Sequence, residues 1–259
     1  FYDCLKSLEV MSSLIGTVII VNQSGCKLFK SETLNIKILN IEKVSASSAR
    51  NLGASESSAD YLFFIDDDAW LTGFNEADLV QALSDEIELI GLKRWDVKIS
   101  HGMVPSIYSI PKFFIEWNII IKRELFILLG GFCKIGAGSQ HPAQSGESFI
   151  LVAQFMNNYG GKHRAISSTI VNHPDLKLDL QSQKAKGYLF GLGYAIGYTF
   201  RDMPFPAKVY WITRLFYALL KRLFSGIFLQ LISNGNISLH AVQILKGFRL
   251  GVSEGKHAK

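Results

Sequence analysis

YLFFIDDDAW, residues 61–70, changes character within a single residue. Tyr61 to Ile65 are apolar or aromatic and read as a strand buried on both faces. Asp66, Asp67 and Asp68 follow at once. A buried strand gains nothing by carrying three like charges to its end, and carboxylates this close raise one another's pKa unless a cation is present. In an open parallel α/β sheet, ligands bind beyond the carboxyl ends of the strands. A divalent ion such as Mg²⁺ or Mn²⁺ takes oxygen ligands and keeps positions open for phosphate oxygens. The stretch therefore points to a metal–diphosphate site. The alternative is an acidic turn that complements the start of the next helix.

Working outward, FYDCLKSLEVM (1–11) spaces its apolar residues as a short amphipathic helix. TVIIVNQSG (17–25) is a β-branched run closed by turn formers, read as a buried parallel strand, and LNIKIL (34–39) is a second strand. SASSARNLGASESSA (45–59) predicts a helix of small residues, and FNEADLVQALSD (74–85) predicts another after the aspartates. This strand–helix alternation predicts an α/β fold with a mostly parallel sheet flanked by helices. Further on, ELIGLKRW (88–95), FFIEWNIIIKREL (113–125) and HRAISSTIVNHP (163–174) read as strands. SFILVAQFMNNYGG (148–161) reads as a helix ended by its two glycines. The Gly/Ser/Gln-rich stretch GGFCKIGAGSQHPAQSGES (130–148) is too long for an ordinary connector.

Charge is unevenly placed. The 259 residues carry net +5, but residues 201–259 hold nine Lys/Arg against two Asp/Glu, leaving net −2 for the first 200. A nucleic-acid-binding domain is excluded by that distribution, and one region is marked for an anionic partner. The three cysteines, Cys4, Cys26 and Cys133, form no CxxC pair and read as reduced thiols of a cytosolic chain without a zinc site. The stretch AKVYWITRLFYALLKRLFSGIFLQLI (207–232) is apolar and aromatic but is cut by Lys208, Arg214, Lys221 and Arg222, so a spanning helix is not expected. Two readings stay open for the tail from 181 to 259. It is either a basic amphipathic appendage on an anionic membrane surface, or a helix pair packed on the core with its basic residues in water.

SSARNLGASESSADYLFFIDDDAW (47–70) resembles the middle of a family 2 glycosyltransferase of GT-A fold, in which an Ala-Arg-Asn-x-Gly segment precedes an apolar strand ending in Asp-x-Asp. TVIIVNQSG is similar to that family's second strand. IIIKRELFILLGGFCKIGAGSQHPAQSGESFILVAQFMNNYGG (119–161) resembles its acceptor half, and IVNHP (170–174) its closing His-Pro. The resemblance covers about residues 1–175 and implies a GT-A domain over 1–180. In the family, the helix resembling FYDCLKSL follows a first strand and loop that wall the nucleotide pocket. The resemblance therefore implies a chain lacking that central strand.

The resemblance also implies roles. Asp66 and Asp68 are its outer carboxylates, holding Mn²⁺ or Mg²⁺ and through it the sugar nucleotide, with Asp67 a donor contact or a turn former. Arg50 is placed to pair with an aspartate or a phosphate. Asn22 stands where the family has an aspartate that contacts the base, and it keeps one acceptor oxygen but not the charge. Glu147 is the candidate base that takes the acceptor hydroxyl's proton, although the aspartate common in the next position is Ser148 here. Glu147 otherwise complements a helix start. His173 is a candidate third metal ligand or a structural hydrogen bonder. Trp117 and the loop from Gly136 to Gly146 are expected to line the acceptor side.

The expected activity is inverting transfer of a sugar from a nucleotide-diphosphate donor to a hydroxyl of a glycan or lipid-linked acceptor, in cell-surface glycan or polysaccharide synthesis. The expected location is cytoplasmic or peripheral on the inner face of the cell membrane. A degenerate, non-catalytic GT-A domain is the rival reading, favoured by Asn22 and Ser148. An aspartate phosphotransferase is disfavoured, because that chemistry wants Thr or Val at the fifth position of the motif, where Trp70 stands.

Overall fold

The structure, a computed structural model, describes residues 1–25, 31–100, 102–174, 182–230 and 238–256, with the backbone alone at 218–219, 221–230 and 238–241. Cys26, the expected boundary at 180 and the side chains of Lys221 and Arg222 lie outside the described residues. The chain forms two compact units, Phe1–Phe132 with Gly160–Leu176, and Cys133–Tyr159 with Lys177–Lys259. The long loop and the helix after it thus group with the tail rather than with the residues before them.

The first unit opens with helix α1 (Tyr2–Leu8) and a 3-10 turn (Glu9–Met11). Strands β1 (Val18–Asn22) and β2 (Ile36–Asn40) then pair in parallel, Val18 opposite Ile36 and Asn22 opposite Asn40. Helix α2 (Ala46–Ser55) starts at Ser45, whose side chain accepts from the Ser48 N–H, as expected of a serine N-cap. Strand β3 (Tyr61–Phe63) leads into the aspartates, and β4 (Trp70–Thr72) follows them. Helix α3 (Glu76–Ser84) is capped by Asn75, with Glu76 and Asp78 in its first turn. Then come β5 (Leu89–Arg94), the four-residue helix α4 (Ile110–Phe113), β6 (Ile119–Lys122), the short helix α5 (Arg123–Leu128) and, later in the chain, β7 (His163–Asn172).

A five-stranded sheet runs in the order β3-β6-β5-β7-β4. The α/β class is as expected, but the pairing is mixed. β1–β2 and β5–β7 are parallel, while β3–β6, β5–β6 and β4–β7 are antiparallel. The crossover helices α2 and α3 are present. However, among the described residues only a 3-10 turn (Ile107–Ser109) and the four-residue α4 lie between β5 and β6, and an antiparallel return does not need the long crossover helix that a parallel neighbour requires. Of the stretch 113–125, only Ile119–Lys122 is strand, because Phe113 ends α4 and Arg123 begins α5. β1, expected to be buried, is half-buried at Val18–Val21 and buried only at Asn22. Leu8, Met11, Leu71, Leu79, Ile90, Leu92 and Val171 form the core against which the sheet rests.

The second unit is helical: α6 (Glu147–Asn158), α7 (Gln183–Thr199), α8 (Phe205–Gln230) and α9 (Ser238–Glu254). Glycines set the α7–α9 approach. A Cβ on Gly193 or Gly197 would overlap the carbonyls of Ile244 or Phe248, and one on Gly247 or Gly251 would overlap those of Phe190 or Tyr194. The loop before α6 is tied down rather than free. Gly136 N–H donates to Ala143 O (2.9 Å), Gln144 N–H to Gly187 O (3.2 Å) and Ser145 Oγ–H to Tyr188 O (3.1 Å). One face of α8 is buried through Ala207, Trp211 and Leu215, with Trp211 edge-on to Phe149. No helix among the described residues is long and apolar enough to cross a membrane.

Candidate functional site

The aspartates sit in a turn between two strands. After β3, Phe64 N–H still donates to Ile119 O, and the chain then turns so that Ala69 N–H donates to Asp66 O (3.0 Å). Ala69 is fully buried and fixes the turn, leaving Asp67 and Asp68 exposed at its tip and Asp66 half-buried. β4 then begins, three residues long and too short for any alternation to reveal. It is nevertheless the element that assembles the site. Its antiparallel register places Trp70 opposite Asn172, so one step further out Asp68 and Ala69 come alongside His173. The β5–β7 pairing shifts register between Leu92 and Lys93, an irregularity near the site-bearing end of β7.

His173 Nε2 lies 3.2 Å from Asp68 Oδ1 and 3.7 Å from Asp66 Oδ2. Its Nδ1 is 2.9 Å from the Pro174 carbonyl, which can only accept, so Nδ1 carries a proton and Nε2 is the nitrogen turned to the carboxylates. The ring stacks on Trp117 with centroids 5.1 Å apart, and Arg94 lies over the other ring system at 5.6 Å. Asp66 Oδ1 accepts from Arg50 Nη2 at 2.5 Å. Burial works against ionising Asp66, but the facing His173 ring and the Arg50 guanidinium outweigh it and hold the carboxyl below its ordinary range. The facing Asp66 carboxylate raises the His173 pKa against the opposing effect of burial, with the Pro174 carbonyl and Asp68 adding to the rise. Cys4, whose Sγ reaches Asp66 O at 3.5 Å, is pushed up to about 12, chiefly by burial, and stays a thiol.

Asp66, Asp68 and His173 each offer one ligand atom, and these atoms all lie within 4.8 Å of one another. Two carboxylate oxygens and an imidazole nitrogen suit a divalent ion, and a histidine whose other nitrogen donates to a backbone carbonyl is the usual oriented metal-ligand arrangement. The donor set therefore fits a divalent metal site.

The structure thus brings Arg50, Asp66, Asp68 and His173 together. Asp67 is at the same turn but faces solvent. Asn22 lies at the end of β1 with its amide engaged: Nδ2 donates to Asn40 Oδ1 (2.8 Å), and Oδ1 accepts from Ser24 N–H (3.2 Å) and Oγ–H (2.9 Å). Glu147 belongs to the other compact unit, as the first residue of α6, and is 2% exposed. It follows Gly146 in left-handed conformation (φ 103°), and its carboxylate packs so closely on Gly136 (φ 93°) that a Cβ there would overlap it. Trp117 does more than fill space, since its ring is the surface against which His173 is oriented.

Sequence reasoning missed Asn51. Its Nδ2 donates to Phe132 O and its Oδ1 accepts from Phe132 N–H, both at 2.8 Å, while Arg50 Cζ lies 5.8 Å from the Phe132 ring. The neighbouring Arg-Asn pair was the available signal.

No family model and no curated protein matches this chain. Among solved structures, S. aureus TarS matches at 11% identity and TM-score 0.50, covering 98% of this chain and 52% of that one, so this chain spans about half its length. The TarS 1–349 fragment in complex with UDP matches at 11% identity and TM-score 0.48, and the same fragment with UDP-GlcNAc at 12% and 0.46, each covering 100% of this chain and 88% of the other. At these identities the likeness concerns the fold, and the fold is a GT-A-like α/β architecture.

Proposed function

We propose that this chain is a metal-dependent glycosyltransferase that moves a sugar, with inversion, from a nucleoside-diphosphate donor to a hydroxyl of a glycan or lipid-linked glycan. The observation that carries the reading is the convergence of Asp66, Asp68 and His173 at the end of a sheet, with Arg50 held against Asp66. Asp66, Asp68 and His173 hold the divalent ion, which when bound supplies Lewis-acid stabilisation of the leaving diphosphate. Arg50 keeps Asp66 ionised, and Trp117 keeps the His173 ring in the plane in which Nε2 meets the carboxylates. Asn22 and Asp67 are assigned to the donor, Asn22 through the base. Glu147 takes the proton of the attacking hydroxyl. The fold likeness to TarS and the motif order read from the sequence support this assignment. In the same reading, the chain works at the cytoplasmic face of the membrane in cell-surface glycan synthesis.

A second reading, a GT-A domain that binds a nucleotide without turnover, is favoured by the burial of Glu147 and by Ser148 beside it. One assay separates the two. The chain is incubated with a panel of nucleoside-diphosphate sugars with Mn²⁺ or with EDTA, and release of the nucleoside diphosphate is followed alongside calorimetric binding. Metal-dependent release that Asp68→Ala abolishes supports the transferase. Metal-dependent binding with no release from any donor supports the second reading, and neither binding nor release overturns both.

A further inference from the structure

Helix α8 is amphipathic twice over. Its inner face buries Ala207, Trp211 and Leu215. Its outer face carries a second apolar stripe that nothing among the described residues covers: Phe205 is 77% exposed, Val209 49%, Ile212 48%, Phe216 58% and Tyr217 61%. Phe205, Val209, Ile212 and Phe216 recur at steps of four, three and four, which puts them in line along about 16 Å of one helix face. Isolated exposed apolar residues need no explanation, but a continuous row of large ones marks an interaction surface.

The surrounding charge selects the partner. Residues 201–259 carry nine Lys/Arg and two Asp/Glu. Of the two acids, Glu254 is engaged by the Tyr194 hydroxyl at 2.6 Å. Arg214 is exposed on α8 on the side away from this row, and the solvent face of α9 presents Lys246 and Arg249 beside Val242 and Leu245, with Lys256 exposed two residues past its end. A second copy would bring the same positive charge against this one. No helix among the described residues is built to span a bilayer.

We propose that the Phe205–Val209–Ile212–Phe216 face of α8 lies in the interfacial layer of a membrane bearing anionic lipid, with the cations of α9 meeting its headgroups. The apolar row enters the headgroup–acyl boundary with the helix parallel to the surface, and Tyr217 sits at the level where an aromatic with a polar end is favoured. The inference stands on α8 and α9 alone and does not need the transferase reading.

The test is flotation of this chain with vesicles of phosphatidylcholine and with vesicles of equal phosphatidylcholine and phosphatidylglycerol. Binding is expected to the anionic vesicles, weak binding to the neutral ones, and loss of binding as salt is raised. Ile212→Glu with Phe216→Glu, both at exposed positions, should weaken anionic-vesicle binding about tenfold or more. Lys246→Glu with Arg249→Glu should do the same while restoring nothing at high salt. If the apolar double variant fails to fold, as read by circular dichroism, the charge variant on the other helix decides alone. Absence of binding to anionic vesicles, or variants that bind as the parent does, overturns the proposal. So does a concentration-dependent dimer that Ile212→Glu with Phe216→Glu dissolves in a chain that ignores vesicles.

Discussion

Asn51 grips Phe132 by its backbone from both sides, donating to its carbonyl and accepting from its N–H at 2.8 Å each, across 81 positions of sequence. The grip extends to Gly131, whose φ of +71° leaves no room for a Cβ beside Asn51 Oδ1. Because Arg50 lies over the Phe132 ring and also holds Asp66, this local clamp and the acidic turn share one support.

Asn51→Ala leaves two buried backbone groups without their partners. An unmade bond to a buried group costs about 1–3 kcal/mol, so the expected loss for the two is about 2–6 kcal/mol of unfolding free energy. Chemical denaturation measures it. A loss within error of zero would mean that water replaces the amide at Phe132.

Asp68 is the most exposed of the three candidate ligands and, among the described residues, pairs with no cation except the His173 ring, so its removal should affect the ion far more than the fold. Asp68→Ala and His173→Ala are each expected to raise the Mn²⁺ dissociation constant at least about tenfold. Denaturation midpoints of the Asp68→Ala variant without metal should stay near the parent's. In the parent, Mn²⁺ should raise the melting temperature and EDTA should return it. Electron paramagnetic resonance of free Mn²⁺ gives the constants directly, and equal affinity in all three proteins would remove this site from consideration.

The His173–Asp66 contact gives metal-free stability two pH limits. His173 is raised above its ordinary 6.5, mainly by the facing Asp66 carboxylate, so its contribution is fully present below 6.5 and fades as pH rises through the higher folded value. Asp66 is held below its ordinary 3.8 despite burial, so its contribution is present above 3.8 and fades as pH falls through the lower folded value. Urea midpoints measured against pH without metal should therefore fall on both limbs, and His173→Gln should flatten the alkaline one. Mn²⁺ competes with the proton on Nε2, so its affinity should rise with pH across the His173 titration.

How far the sequence reveals this arrangement depends on the range of the interactions. β1, β2, α2 and β3 are legible because their signals are local: β-branched runs, Ser45 as a cap, an apolar run stopped by charge. Asp66 and Asp68 are legible for the same reason. β4 is not, since three residues carry no period, and its identity rests on pairing with β7 some hundred positions away. His173 could be named only through the resemblance, and Asn51 is marked only as the neighbour of Arg50 in that segment, because its partner Phe132 is distant and the bonds run to backbone, whose chemistry every residue shares. The grouping of 133–159 with the tail is likewise a matter of long-range contact. GxxxG spacing in α7 and α9 was in plain view, yet it is informative only once the two helices are known to face each other.

That spacing gives the last prediction, because the same substitution should have opposite signs at two helical glycines. In a helix interior Gly→Ala is ordinarily stabilising by about 0.8–1 kcal/mol. At Gly53 of α2 an added Cβ meets Val21 Cγ2 at 3.5 Å and Ile19 Cγ2 at 3.8 Å, ordinary contact against β1, so Gly53→Ala should stabilise by about 0.5–1 kcal/mol. At Gly251 of α9 the added atom would overlap Tyr194 O and sit 2.7 Å from Tyr198 N, both backbone atoms that no side-chain rotation can move. Gly251→Ala must push α9 off α7 and should destabilise by about 1–3 kcal/mol, the range for overpacking. Paired denaturation curves decide it. A stabilised Gly251→Ala would mean that the two helices are not in backbone contact in solution.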